Sequence, residues 1–424
     1  MQYMTSRQKA TEWSVTKRMV NYWCANGQIE GAYKEGSRWW IPVDVERPGE
    51  EECLRRMRAY TVRITGKKSV AVGIQDFEAL RRDQMFYVDK TDFIRQWWES
   101  GETTTLITRP RRFGKTLNMD MLRTFFEKTT EDTSVYFRDK KIWFCGESYR
   151  AHHRKYPVIF LSFKDVKYTS WEETYQTLQK LIAQEFRRHD ELASSSALSN
   201  YEKEEYSILA TEAADEVDYQ MSLRTLTLLL HKHHNVAPIV IIDEYDTPIQ
   251  QGHSRSFYNE VITFMRNFMS GGLKDNPSLA FGVLTGILRV SKENLFSGLN
   301  NPIVNSVLDE KYSKYFGFTV DEVNTMAAYY GQEAKLEELR EWYDGYRFGS
   351  TEIYNPWSVA NYFYNNCQAK PYWTNTSDNE IIREIIREIM ISLTPDIAEN
   401  LFALLQGQTV QASLIMDVIY PRIT

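Results

Sequence analysis

The stretch Thr104-Thr105-Leu106-Ile107-Thr108-Arg109-Pro110-Arg111-Arg112-Phe113-Gly114-Lys115-Thr116 decides the fold. Its first five residues form a β-rich run. After Thr116 the residues Leu117, Met121, Leu122 and Phe125 supply the apolar face of a helix. Strand, loop and helix in that order is the setting of a phosphate-binding P-loop. Gly114 lets the backbone approach phosphates, Lys115 reaches the β and γ groups, and the Thr116 hydroxyl suits Mg2+, while the helix N-terminus adds partial positive charge. One position departs from G-x-x-x-x-G-K-[ST]. Arg109 stands where the first glycine would be, and Pro110, which has no N–H, follows it. The expected loop is stiffer and one donor poorer, with Arg111 and Arg112 compensating by charge. Arg111, Arg112, Phe113, Gly114, Lys115 and Thr116 are the expected ATP contacts.

Taken alone, Gly-Lys-Thr before a helix also fits a basic surface turn. Pro238-Ile239-Val240-Ile241-Ile242-Asp243-Glu244 decides between the two readings, because four apolar residues ending in two carboxylates form a Walker B pattern. Asp243 is expected to hold the Mg2+ shell and Glu244 to act as general base toward water. Val158 to Leu161 and Leu279 to Leu284 read as two more strands. The latter ends at Thr285, a candidate γ-phosphate sensor, with Arg289 downstream as a candidate for neutralising transition-state charge. Continuous apolar runs of this kind predict strands buried on both faces, hence an α/β fold with a parallel sheet covered by helices.

The 424 residues include 51 Lys plus Arg against 57 Asp plus Glu, so the formal charge of −6 assigns no nucleic-acid role to the chain as a whole. Four widely spaced cysteines are too few to staple such a chain and read as reduced core thiols. No run approaches about 18 apolar residues, and the polar start lacks a signal-peptide core, so a cytoplasmic protein without a membrane span is expected. His231, His233 and His234 cluster at a helix end without carboxylate or thiol at ligand spacing, which argues against a metal site there.

Residues 1–46 read as two short helices and a β wing. Ser6 is the expected cap of the first helix and Thr16 of the second, which would end at Gly27. Met19, Val20 and Trp23 are expected to face the core. The stretch resembles the winged helix-turn-helix of the excisionase and MerR-like group, chiefly through Ala10, Trp13-Ser14-Val15-Thr16, Arg18-Met19-Val20, Gly27, Ile29 and Trp40-Ile41-Pro42. That resemblance implies double-stranded DNA binding, with Thr16, Lys17, Arg18, Asn21 and Tyr22 toward the major groove and Arg38 toward phosphate. Six basic against four acidic side chains in residues 1–45 give only +2. A dimer or a second DNA-binding surface would then be needed, and a protein-protein adaptor is the competing reading.

Residues 47–69 read as a linker, 70–310 as the ATPase core and 311–424 as a mostly helical C-terminal region. Val72-Gly73-Ile74-Gln75-Asp76-Phe77, Tyr87-Val88-Asp89-Lys90-Thr91, the Arg-Pro-Arg-Arg-Phe-Gly-Lys-Thr loop, Ile242 to Asp246, Leu284 to Arg289, Tyr343 to Gly349 and Ile353 to Ser358 together resemble the bacterial AAA-ATPase-like family. That family often carries a C-terminal PD-(D/E)xK nuclease-like domain. The resemblance implies a Mg-dependent ATPase, compatible with a homo-oligomer, and makes the Arg109 substitution a family trait. After residue 350 the only lysine is Lys370 and Pro395-Asp396 has no downstream E-x-K, so the chain is expected to stop before a nuclease-like domain and to have no nuclease activity. The alternative is a nucleotide-gated DNA-binding or adaptor protein with little turnover.

Overall fold

The computed structural model describes residues 3–13, 17–25, 29–36, 38–45, 66–287, 289–290 and 302–373, with a few positions between 399 and 418. The chain divides into two compact units. The first comprises Met1–Ala71 and Ala79–Tyr87, the second Val72–Glu78 and Val88–Thr424.

In the first unit β1 (Tyr3–Thr5) leads into α1 (Ser6–Glu12), α2 (Lys17–Ala25), β2 (Tyr33–Glu35) and β3 (Arg38–Pro42). The strands form an antiparallel sheet in the order β1-β3-β2. Val20, Trp23 and Cys24 of α2 meet Ala10, Ile29 and Ile41 in a small core, as the apolar spacing predicts for Val20 and Trp23. The α1 cap differs from expectation. Thr5, not Ser6, accepts from the backbone N of Gln8, while the Gln8 side chain returns to the Thr5 backbone. A Thr-x-x-Gln capping box satisfies two orphan amides, which Ser6 one residue later cannot do. The Thr16 cap, the Gly27 terminus, the side chain of Met19 and linker residues 47–65 lie outside the described residues.

Lys9 is fully buried in this unit. Its ammonium donates to Glu12 at 2.9 Å and to the Val43 carbonyl at 2.7 Å, and lies 4.9 Å from the Trp13 ring centre. One of the six basic groups counted toward the outward charge is thus an internal tie.

The second unit is built on a five-stranded, wholly parallel sheet. Its strands are β4 (Thr104–Thr108), β5 (Val158–Ser162), β6 (Ile239–Asp243), β7 (Phe281–Gly286) and β9 (Ile303–Asn305), in the order β5-β6-β7-β4-β9. The short β8 (Arg289–Val290) pairs instead with β13 (Asp417–Val418). Four of the five strands follow the apolar runs; three-residue β9 carries too little pattern to announce itself. Every residue of β4 and β6 is buried. Leu106, Ile159, Leu161, Val240, Ile242 and Leu284 join one core with α4 (Trp171–Arg188), α5 (Glu216–His234) and α6 (Tyr258–Leu273). Ile107, Val158, Ile239, Ile241 and Val283 are equally buried and alternate with them, as strands covered on both faces require. No described helix is long and apolar enough to cross a membrane.

The described part of the C-terminal region is less helical than expected. Alongside α7 (Val320–Tyr330), α8 (Leu336–Tyr343) and α9 (Pro356–Tyr364) stands an antiparallel sheet of β10 (Phe318–Thr319), β11 (Tyr346–Phe348) and β12 (Thr351–Tyr354), ordered β10-β12-β11. Aromatic strand formers on either side of Gly349, which adopts φ 55°, make β11 and β12 a hairpin. Positions 374–398 lie outside the described residues.

His153 illustrates how tightly the second unit is filled. Its ring packs on Phe125, Phe137 and Trp143, and Nε2 lies 2.9 Å from the Thr133 hydroxyl. Burial, helped by the charge of Arg154, pushes its pKa down to about 4 from an ordinary 6.5. The unfolded chain therefore takes up this proton first on acidification. The stabilisation is complete above about pH 6.5 and drains away as the pH falls toward 4, on the order of 3 kcal/mol at most. Urea unfolding across that range should show wild type losing this contribution and His153→Gln losing much less.

Candidate functional site

At the carboxyl ends of the parallel strands, register brings polar residues to one level. Ser162 of β5 pairs with Asp243 of β6, and the Ile242–Leu284 pairing places Thr285 of β7 beside Asp243. Asp243 is wholly buried. Its Oδ2 accepts from the Thr116 hydroxyl at 2.8 Å and from the Ser162 hydroxyl at 3.3 Å, and its Oδ1 accepts from the Thr285 hydroxyl at 2.5 Å. Three hydroxyls on one carboxylate satisfy it without a permanent cation. Ser162 was not singled out in the sequence, although a polar residue closing Val-Ile-Phe-Leu repeats the signal that marked Thr285.

Thr116 is brought there by α3 (Lys115–Phe126), which starts directly after the loop. Gly114 has φ 79°, a left-handed conformation that a side chain would strain. Lys115 is 4% exposed and its Nζ donates to the carbonyls of Arg109 and Pro110, both at 3.0 Å. Burial lowers its pKa, while Glu244, Asp243 and Asp246 pull the other way. The ammonium thus lies beneath the loop and faces carboxylates.

Glu244 sits past the end of β6 with φ 52°. Its N donates to the Thr285 hydroxyl at 3.4 Å and its Oε2 accepts from the Thr247 hydroxyl at 3.3 Å. It is only half-buried, unlike Asp246, whose carboxylate is inside and accepts from Gln250 Nε2 at 2.7 Å and Ile287 N at 2.9 Å. Gly286 packs against this turn so closely that a Cβ would fall 2.6 Å from the Tyr245 ring. Arg289 lies in β8, and its side chain is outside the described residues.

The loop side chains go elsewhere than expected. Arg109 is fully buried. Its guanidinium donates to the carbonyls of Thr108 at 2.9 Å, Asn305 at 2.8 Å and Lys311 at 3.5 Å, and lies over the rings of Phe316 and Phe348. Burial pushes its pKa down to about 10, against the charge of Asp309, so it stays protonated near neutrality. Phe113, read as a nucleotide contact, has its ring buried against Tyr346 and Phe348, which leaves its backbone as the part able to meet phosphate. Arg112 lies 4.3 Å from the Trp357 ring centre, so its charge is already engaged. Arg111 is half-buried, with Nη2 3.5 Å from Gln250 Oε1, and its carbonyl accepts from Trp373 Nε1 at 3.4 Å. The aromatic motifs of the C-terminal region, which the sequence left without a role, therefore hold the loop from behind.

Among the residues expected to meet DNA, Lys17 is exposed on the first turn of α2 and Arg38 is exposed on β3. Asn21 is half-buried with its Oδ1 inward, a poorer groove contact than expected. Thr16 and the side chains of Arg18 and Tyr22 lie outside the described residues.

The family model described as "Predicted AAA-ATPase" matches residues 71–296, more than half of the chain. A curated relative from Azotobacter chroococcum mcd 1, "Uncharacterized protein in vnfD 5'region", is 28% identical over 327 residues. The match covers 76% of this chain, which spans 57% of the relative's length. No solved structure matches the chain.

Arg109→Met should remove the guanidinium and leave the buried Thr108 and Asn305 carbonyls short of a donor, lowering stability by about 2 to 4 kcal/mol. Denaturant unfolding checks it. Arg111→Met, at a half-buried site, should cost well under half as much.

Proposed function

Because the chain belongs to the predicted AAA-ATPase family through residues 71–296, we propose that it binds ATP with Mg2+ and hydrolyses it. The single observation that carries this reading is the buried Asp243 carboxylate, gathered by the hydroxyls of Thr116, Ser162 and Thr285 at the strand tips beside Lys115. An all-oxygen set of one carboxylate and neighbouring hydroxyls suits a hard cation, so the residues fit Mg2+, with Thr116 and Asp243 as its holders. When bound, the ion supplies charge neutralisation on the β and γ phosphates.

The chain's own residues supply the rest. Lys115 exchanges its two carbonyl partners for β- and γ-phosphate oxygens, a trade of neutral for charge-assisted hydrogen bonds. The N–H groups at the start of α3 and in the Gly114 turn face the same anion. Thr285, bonded to Asp243 and to the Glu244 amide, can report whether the γ-phosphate is present. Glu244, half-buried beyond the strand end, takes the proton of the attacking water. Arg111 and Arg112 border the loop, and Arg289 remains a candidate for transition-state charge.

For residues 1–46 we propose duplex DNA binding through Thr16, Lys17, Arg18, Asn21, Tyr22 and Arg38, in a chain working in the cytoplasm. Two helices with a three-stranded antiparallel sheet support a winged helix. The net charge of only +2 in residues 1–45, which the internal Lys9–Glu12 pair leaves unchanged, favours a second reading, a nucleotide-gated adaptor.

Lys115→Ala should abolish ATP binding, measured by titration with a fluorescent analogue; unchanged affinity would sink the nucleotide assignment. Glu244→Gln should still bind ATP while phosphate release falls about 10²-fold or more. Anisotropy titration of the intact chain with a randomised duplex pool should show salt-dependent binding, weakened about evenly across sequences by Arg38→Ala. No binding at low salt leaves the adaptor reading standing.

A further inference from the structure

Arg112 adopts φ 69° two residues before Gly114, at φ 79°. A left-handed arginine is held there only when its surroundings over-determine it. The surroundings here are specific. The guanidinium lies 4.3 Å from the centre of the Trp357 ring, and Gly73 also approaches that indole, its absent Cβ standing 3.6 Å from it. Trp357 is itself fixed in two ways. Its Nε1 donates to the Tyr372 carbonyl at 3.1 Å, and it occupies the first turn of α9, where Asn355 caps the Ser358 amide and Pro356 opens the helix. Three separated stretches, around Gly73, Arg112 and Trp357, thus meet at one side chain that stands directly behind the loop.

The consequence concerns the loop's backbone. Successive residues that alternate between left-handed and right-handed conformations turn their N–H groups toward a common centre and form an anion nest. Arg112 and Gly114 supply the two left-handed positions. Gly114 reaches this state without cost, whereas Arg112 needs a hold.

We propose that Trp357 is a positioning residue for phosphate binding: it keeps Arg112 left-handed, and so sets the affinity of the loop for the triphosphate, not for the base. This rests on the nucleotide reading above and assigns to the C-terminal region the work that a glycine-rich loop does by itself. The cation-π contact favours the strained conformer by displacing extended conformers of Arg112, whose amide would leave the nest.

The test uses the full chain, with dissociation constants for MgATP and for magnesium tripolyphosphate, which has no base. Trp357→Leu should weaken both ligands by a similar factor, about two- to fivefold, for loss of a cation-π contact to an exposed arginine. Trp357→Phe should recover most of that loss, and Trp342→Leu, a half-exposed tryptophan of α8, should leave both constants unchanged. In an Arg112→Gly background, where left-handed backbone needs no hold, Trp357→Leu should have no further effect. The role is overturned if Trp357→Leu, folded by circular dichroism, binds both ligands as wild type does. It is also overturned if only ATP is weakened, which marks a base contact, or if the loss persists undiminished in the Arg112→Gly background. Should Trp357→Leu fail to fold, the exposed Arg112 decides, since Arg112→Gly should then bind tripolyphosphate more tightly than Arg112→Ala, and equal affinities overturn the role. A wild-type chain that binds neither ligand sinks the nucleotide reading itself, a result distinct from all of these.

Discussion

The buried guanidinium of Arg109 is the constraint around which the second unit is arranged. Withdrawing a charge from water costs several kcal/mol even after relaxation, and the cost is offset only where donors and acceptors match closely. Here three carbonyls and two aromatic faces provide the match, drawn from the end of β4, the end of edge strand β9, the segment before β10, and β11. These elements cannot separate without stranding the charge. The residue that replaces the first glycine of the loop is therefore a strut that joins the sheet edge to the C-terminal sheet.

A loop tied from behind needs a helix tied at its far end. Near the carboxyl end of α3, Arg123 binds Asp120 at 2.8 Å and Glu127 at 2.8 Å, and reaches Glu78 at 3.3 Å. Glu127 also meets Arg188, whose guanidinium pairs with Glu185 at 2.6 Å as well and donates to the Val158 carbonyl. The Phe77 amide donates to Asp120 at 2.7 Å, which ties that position to α3. Lys90 does similar work across the unit, donating to Glu322 at 2.5 Å and to the Lys314 carbonyl at 2.6 Å. Burial pushes its pKa down to about 8, with Glu322 opposing. Networks of this sort fix geometry more than they add stability, because each buried charge must first repay its desolvation. Lys115 and Thr116 thus start from a helix held at both ends, which is the preorganisation a phosphate site needs.

How much was legible beforehand follows from the range over which each feature is encoded. The strands Thr104 to Thr108, Val158 to Leu161 and Ile239 to Ile242 could be read because burial on both faces leaves an unbroken apolar run in the local sequence. Gly114, Lys115, Thr116, Asp243 and Thr285 could be named because their positions at strand ends follow from the same runs. The cap of α1 is Thr5 and not the expected Ser6, since the two offer the same chemistry and only the returning Gln8 side chain separates them. The hairpin of β11 and β12 stands in a region expected to be mostly helical, because strands of three and four residues are too short to show a period.

The sequence by itself determined the parallel α/β core, the loop between β4 and α3, and the residue types at the strand tips, because strands and turns impose their periodicities on neighbours a few residues apart. Only the tertiary structure decided that β7 lies between β6 and β4, that β9 closes the edge, and that the side chains of Arg109, Arg112 and Phe113 meet aromatic rings of the C-terminal region. Arg109 and Asn305 are 196 residues apart. No local pattern says which distant carbonyl will face a buried guanidinium; that is settled by the requirement that every buried donor find an acceptor once the sheet and its flanking elements have packed.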